Sequence, residues 1–118
     1  MWIADGVVIG NDVRIQAFSF IPYGVTIEDG AFIGPRVTFT NDPKMSMDKG
    51  LWRETRVCSG AKIGAGAIIV AGVTIGANAL IGAGSVVTRS VPEGETWAGN
   101  PARPLHKSGN VSQYYMEV

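Results

Sequence analysis

Ten of the eleven isoleucines of this chain lie on one arithmetic series with a step of six. Ile3, Ile9, Ile15, Ile21, Ile27 and Ile33 open it, and after a break it resumes at Val57 and runs Ile63, Ile69, Ile75, Ile81, Val87. Four residues after each stands a small one: Val7, Val13, Ser19, Val25, Ala31 and Val37, then Ala61, Ala67, Val73, Ala79, Ser85 and Val91. A step of six fits no α-helix, whose apolar residues recur every three or four. Simple strand alternation fails too, because the positions between are not regularly apolar. The period matches a triangular prism in which each flat side is one hexapeptide and three sides close a coil of about 18 residues. The large residue then points into the narrow core. The small one fits beside a corner, where a bulkier side chain would clash.

A chain of 118 residues makes one domain, 1–118, with coils over 3–39 and 57–92, a loop over 41–56 and a C-terminal extension over 93–118. Ten basic and ten acidic residues cancel, so no basic face points to nucleic acid. The single Cys58 excludes an internal disulfide and suits a reducing, cytoplasmic compartment. Residues 63–87 carry no charge. Their Gly and Ala content and unbroken register read as coils packed on neighbouring subunits, not as a membrane span. The repeat starts at Trp2-Ile3, without a basic stretch and apolar run that would mark a leader. The first coil is therefore expected to present an open edge of backbone groups.

Between Phe39 and Val57 the repeat fails. The two are 18 apart, which reads as one coil's worth, with Met45 and Leu51 at large-residue positions. Lys49, however, falls where a small buried residue belongs, and an unpaired buried ammonium is very costly. Pro43, Gly50 and several charges complete the picture of a loop that leaves the prism and returns. Long loops on a tight scaffold usually carry function.

These features resemble the left-handed parallel β-helix of the hexapeptide-repeat acyltransferases, an all-β fold, here with about five coils at ~4.8 Å spacing. The resemblance spans Ile3 to about Arg103. Phe32-Ile33-Gly34-Pro35-Arg36-Val37-Thr38-Phe39-Thr40-Asn41-Asp42 is similar to the F-[IV]-G-P-x-V-x-F-T-N-D stretch of enzymes that acetylate the amino group of nucleotide-linked 3-amino sugars. Pro43 and Trp52 echo that family's loop, whereas Lys44 departs from it. By this resemblance Asn41 and Asp42 are the candidate catalytic residues.

The last coils, Ile75 to Arg89, and the run Trp97-Ala-Gly-Asn-Pro-Ala-Arg103-Pro-Leu are similar to the C-terminal signature of acetyl-coenzyme A users. The resemblance implies acetyl-CoA as cosubstrate, with Ala65 and Ala83 beside its pantetheine arm. Thr88, Arg89 and Arg103 match further positions, and the arginines would meet phosphates through charge-assisted bonds. It further implies a homotrimer with each site between two prisms.

Histidine is scarce. His106 is the only one and matches no base position of the family; three-histidine zinc chemistry is excluded, and no metal is expected. A hydroxyl acceptor needs a strong general base, whereas a neutral amine is a good nucleophile unaided. Asp42, with an ordinary pKa of ~3.9, would orient the amine by charge and hydrogen bond. The expectation is N-acetyl transfer to a nucleotide-linked amino sugar for bacterial surface polysaccharide. O-acetyl transfer on the same fold, with a base elsewhere, and a non-catalytic scaffold are the rival readings. A pure scaffold needs neither the Asn41-Asp42 loop nor the arginines, and Thr26, Thr38 and Thr74 are too scattered for an ice-binding ladder.

Overall fold

The computed structural model describes residues 1–41 and 53–105. Asp42, Lys44, Met45, Lys49, Leu51, Trp52 and His106 therefore lie outside the described residues.

Five coils stack. The first holds β1 (Trp2–Ile3), β2 (Val8–Ile9) and β3 (Arg14–Ile15); the second β4 (Phe20–Ile21), β5 (Val25–Ile27) and β6 (Phe32–Ile33). The third holds β7 (Thr38–Phe39), β8 (Thr55–Val57) and β9 (Lys62–Ile63), and the fourth β10 (Ile68–Ile69), β11 (Thr74–Ile75) and β12 (Leu80–Ile81). The fifth has β13 (Val86–Val87), a bridge from Val91 to Ile75, and β14 (Thr96–Gly99), with β15 (Ala102–Pro104) antiparallel to β14. Side one of the prism is β1-β4-β7-β10-β13, side two β2-β5-β8-β11, side three β3-β6-β9-β12-β14-β15. The coil-to-coil pairs are parallel and keep the hexapeptide register: Ile3 on Ile21, Ile9 on Ile27, Ile15 on Ile33.

The large-residue series is the core. Ile21, Ile27, Ile33, Phe39, Val57, Ile63, Ile69, Ile75, Ile81 and Val87 are all fully buried. The small residues Val25, Ala31, Val37, Ala61, Ala67, Val73, Ala79 and Ser85 are buried beside the turns that precede their strands. The first coil has a neighbour on one side only among the described residues, and Ile3 is accordingly 40% exposed. Trp97 occupies the large-residue position of the last side-three strand, where its ring caps the core at 7% exposure.

Two expectations change. Phe39 and Val57 are not one coil apart: Phe39 stacks on Ile69 and Val57 on Ile27, so they occupy successive sides of the third coil. Eighteen residues separate Phe20 from its partner Thr38, but thirty separate Thr38 from Ile68. The excess of twelve is two hexapeptides, which is why the series keeps its phase although a loop replaces one corner. The extension expected from residue 93 begins inside the fifth coil, because β14 pairs with β12 as the next strand of side three.

Candidate functional site

Three edges join the three sides. The edge between sides one and two carries the turns Asp5–Gly6, Tyr23–Gly24, Ala71–Gly72 and the bend at Arg89. The edge between sides three and one carries Ala17–Phe18, Pro35–Arg36, Ala65–Gly66 and Ala83–Gly84. On that edge successive turns bond to one another: Arg36 N–H to Ala17 O at 3.0 Å, Gly66 N–H to Pro35 O at 2.9 Å, Gly84 N–H to Ala65 O at 2.8 Å. The loop interrupts this ladder on the first edge, and side chains take over. Thr40 Oγ1 accepts from Ala71 N–H at 3.0 Å, and Thr55 Oγ1 from Gly72 N–H at 3.1 Å. The loop base is tied shut by Arg53 N–H to Asn41 O at 3.1 Å. Asn41 Nδ2 donates to Tyr23 O at 3.2 Å, which anchors the loop to the turn below it.

The candidate residues thus divide between two edges. Asn41 stands at the root of the loop on the first edge. Ala65 and Ala83 stack on the edge between sides three and one, half-buried and exposed respectively. A Cβ built on Gly66 or Gly84 meets nothing within 4 Å, so that edge is open to a slender ligand. The β14–β15 hairpin stands beside that edge: Gly99 N–H donates to Ser85 Oγ at 3.2 Å, and Arg103 on β15 pairs with Ala98. Arg103 is exposed and its Nη1 donates to Ala102 O at 3.1 Å. Thr88 is exposed at the end of β13. Arg89 leaves the first edge and lays its guanidinium 5.6 Å from the Trp97 ring centroid, over the end of the prism. The structure stacks Ala65 and Ala83 on one edge and puts Arg103 on β15, paired with Ala98 at the end of the adjoining side three. It holds Asn41 and Arg89 across side one from them.

A further polar cluster lies where sides two and three meet. Glu28 accepts from Arg56 Nη1 at 2.6 Å and from Ser59 N–H at 3.1 Å. The hydrogen bond from Arg56 holds the Glu28 carboxyl below its ordinary pKa. Cys58 beside it is pushed up by burial and then by the Glu28 charge, so it stays a thiol at neutral pH. Among the described residues no group of His, Cys, Asp and Glu could hold a metal ion.

Two exposed residues escaped the sequence reading. Phe18 and Arg36 occupy successive turns of the edge that carries Ala65 and Ala83. At the other corners whose second turn residue is left-handed, that residue is Gly, Asp12 or Asn78.

The chain belongs to the bacterial transferase hexapeptide family, whose six-repeat model matches residues 3–41 and 54–89. The prism is therefore the left-handed parallel β-helix of that family. A comparison with curated protein sequences finds no significant match. Among solved structures, a truncated serine acetyltransferase apoenzyme is 36% identical with a TM-score of 0.73, over 85% of this chain and 41% of that one. The serine acetyltransferase of Neisseria gonorrhoeae is 31% identical, TM-score 0.76, over 87% and 40%. A point mutant of GDP-perosamine N-acetyltransferase from Caulobacter crescentus, in complex with CoA and GDP-perosamine, shares the fold at 22% identity and TM-score 0.71, over 89% and 53%. The chain spans about two fifths of the length of those serine acetyltransferases.

Proposed function

We propose that the chain is an acetyl-CoA-dependent acetyltransferase whose acceptor is the amino group of a nucleotide-linked amino sugar. One observation carries the reading. The small-residue edge and the loop edge flank the same side of the prism, so a second prism laid against that side brings one copy's loop to another's open edge. A homotrimer closes this arrangement three times over. Family membership supports acyl transfer, and structures of the same fold are known with CoA, one of them with a nucleotide-linked amino sugar.

In this reading the pantetheine arm lies along Ala65 and Ala83, and Arg103 meets a phosphate near the end of the prism. Asp42, one residue beyond the anchored Asn41, orients the acceptor amine. The neutral amine attacks the thioester carbonyl, a backbone N–H stabilises the oxyanion, and the thiolate of CoA leaves. The proton left on the nitrogen passes to water or to the departing thiolate, so no strong base is required.

The greater identity to serine acetyltransferases favours one rival, O-acetyl transfer to a hydroxyl. Thiol release from acetyl-CoA, followed with nucleotide-linked 3-amino sugars and with L-serine in parallel, separates the two. Amide formation with the amino sugar alone is the expected result. Turnover with L-serine or a sugar hydroxyl, without any amine, assigns the chain to O-acyl transfer.

A further inference from the structure

The second turn residue at the corners of this prism adopts a left-handed backbone. Glycine serves there at Gly6, Gly24, Gly30, Gly60, Gly66, Gly72, Gly84 and Gly94, and Asp12 and Asn78 take two more corners. These are the residue types that tolerate the conformation. Phe18 at φ 65° and Arg36 at φ 61° break the rule. For other residues the left-handed region is uncommon, and a bulky side chain there is an outlier that calls for an explanation.

The two exceptions are consecutive turns of one edge, joined by the Arg36 N–H to Ala17 O bond at 3.0 Å. Phe18 is 71% exposed, so its ring finds no burial there that would offset the backbone cost. The Arg36 guanidinium lies 5.3 Å from the centroid of the Phe18 ring. Trp2 and Phe20 stack at 4.9 Å on the adjoining side one, both exposed. An exposed aromatic face paired with a guanidinium fits a planar base attached to phosphate: the ring stacks on the base and the guanidinium takes the phosphate oxygens.

We propose that Phe18 and Arg36 form a nucleoside-diphosphate subsite, the one that holds the nucleotide part of the acetyl acceptor. The proposal rests on the acetyltransferase reading for its account of what the nucleotide carries. Its place supports it. Arg36 is the next turn along the edge from Ala65, and Phe18 the next again, about 10 Å in all at ordinary strand spacing. Arg103 lies towards the opposite end of the prism, on β15 beyond β14 and β12. Acetyl-CoA with a phosphate at Arg103 has its thioester end towards Arg36, where the acceptor must be held. A nucleoside diphosphate also exists within CoA itself, so the test must tell the two sources apart.

Calorimetry on the full chain with UDP, GDP, dTDP, pyrophosphate and CoA, for the wild type, Phe18→Gly and Arg36→Gly, provides it. At least one nucleoside diphosphate binds the wild type, and pyrophosphate binds about tenfold more weakly for want of a base to stack. Each glycine variant loses about tenfold in nucleoside-diphosphate affinity and keeps its CoA affinity. Their melting temperatures hold or rise, because glycine adopts the left-handed corner without strain.

Any of four results overturns the proposal. They are no nucleoside-diphosphate binding by the wild type, unaltered affinity in both variants, a parallel loss of CoA binding, and dissociation of the oligomer, which would make the pair a subunit contact. Nucleoside-diphosphate binding that depends on Phe18, without acetyl transfer to any amine, sinks the amino-sugar acceptor and leaves the subsite. Acetyl transfer without such binding does the reverse.

Discussion

Thr55 occupies the small-residue position of its hexapeptide, is 1% exposed, and spends its hydroxyl on Gly72 N–H. Thr55→Val keeps the shape and removes the acceptor. Gly72 is exposed, so water can take up part of the lost bond, and a cost of about 1 kcal/mol is expected by urea titration. A value indistinguishable from zero would show that the hydroxyl does not stand in for the missing corner carbonyl. Ile69 is a harsher case, fully buried between Phe39 and Val87. Ile69→Asp leaves a carboxylate without a partner in that core and costs several kcal/mol. Soluble protein with unchanged melting would refute the inward register. Glu28 gives a pH signature. Its pKa is lowered by Arg56, so its stabilising effect is present at neutral pH and is lost as pH falls through that lowered value. Melting curves of wild type and Glu28→Gln should differ at pH 7 and converge in acid. A gap that stays constant would mean that the ion pair contributes nothing to folding.

At the scale of the element, the loop is an insertion of two hexapeptides, not a disrupted coil. Removing residues 42–53 joins Asn41 to Glu54 and puts Thr55 and Val57 six residues on from Val37 and Phe39, their counterparts on the preceding side. With Glu54→Gly at the left-handed corner position, the variant should fold with a melting temperature close to the wild type's. It should bind CoA and transfer no acetyl group. An unfolded product would show that the loop belongs to the scaffold. This distinction was only half legible in the sequence. The spacing of Phe39 and Val57 suggests one coil, because a multiple of six preserves the hexapeptide phase whatever side the chain returns to. Only strand pairing, Val57 on Ile27, shows that it re-enters on the next side. The core from Ile21 to Val91 was legible, since a narrow prism restricts the inward positions to apolar or small residues, whereas Trp97 and Ala102 were read as part of the extension and are core. The loop's Asn41 was legible as a motif but not as an anchor, because its bond to Tyr23 O links two turns eighteen residues apart. Phe18 and Arg36 stand at outward corners, on which the inward periodicity is silent, and only their left-handed backbone sets them apart.

For the whole molecule, the three sides differ in charge. In-register outward residues on side one are Trp2, Phe20, Thr38, Ile68 and Val86, none charged. Side two presents Arg56 and side three Arg14 and Lys62 in the equivalent rows. An uncharged side of exposed Trp2, Phe20 and Ile68 is suited to a second prism. Light scattering at micromolar concentration should return three times the mass of one chain, and a monomer would count against the shared site. The most direct test of that site uses two inactive variants. One lacks the loop, residues 42–53, with Glu54→Gly. The other blocks the open edge by Ala83→Trp. Unfolded together and refolded as mixed trimers, they place an intact loop against an intact edge at about one interface in four. Recovery of about a quarter of wild-type acetyl transfer is the predicted result. Mixed trimers confirmed by native mass spectrometry that remain inactive would contradict an active site shared between two prisms.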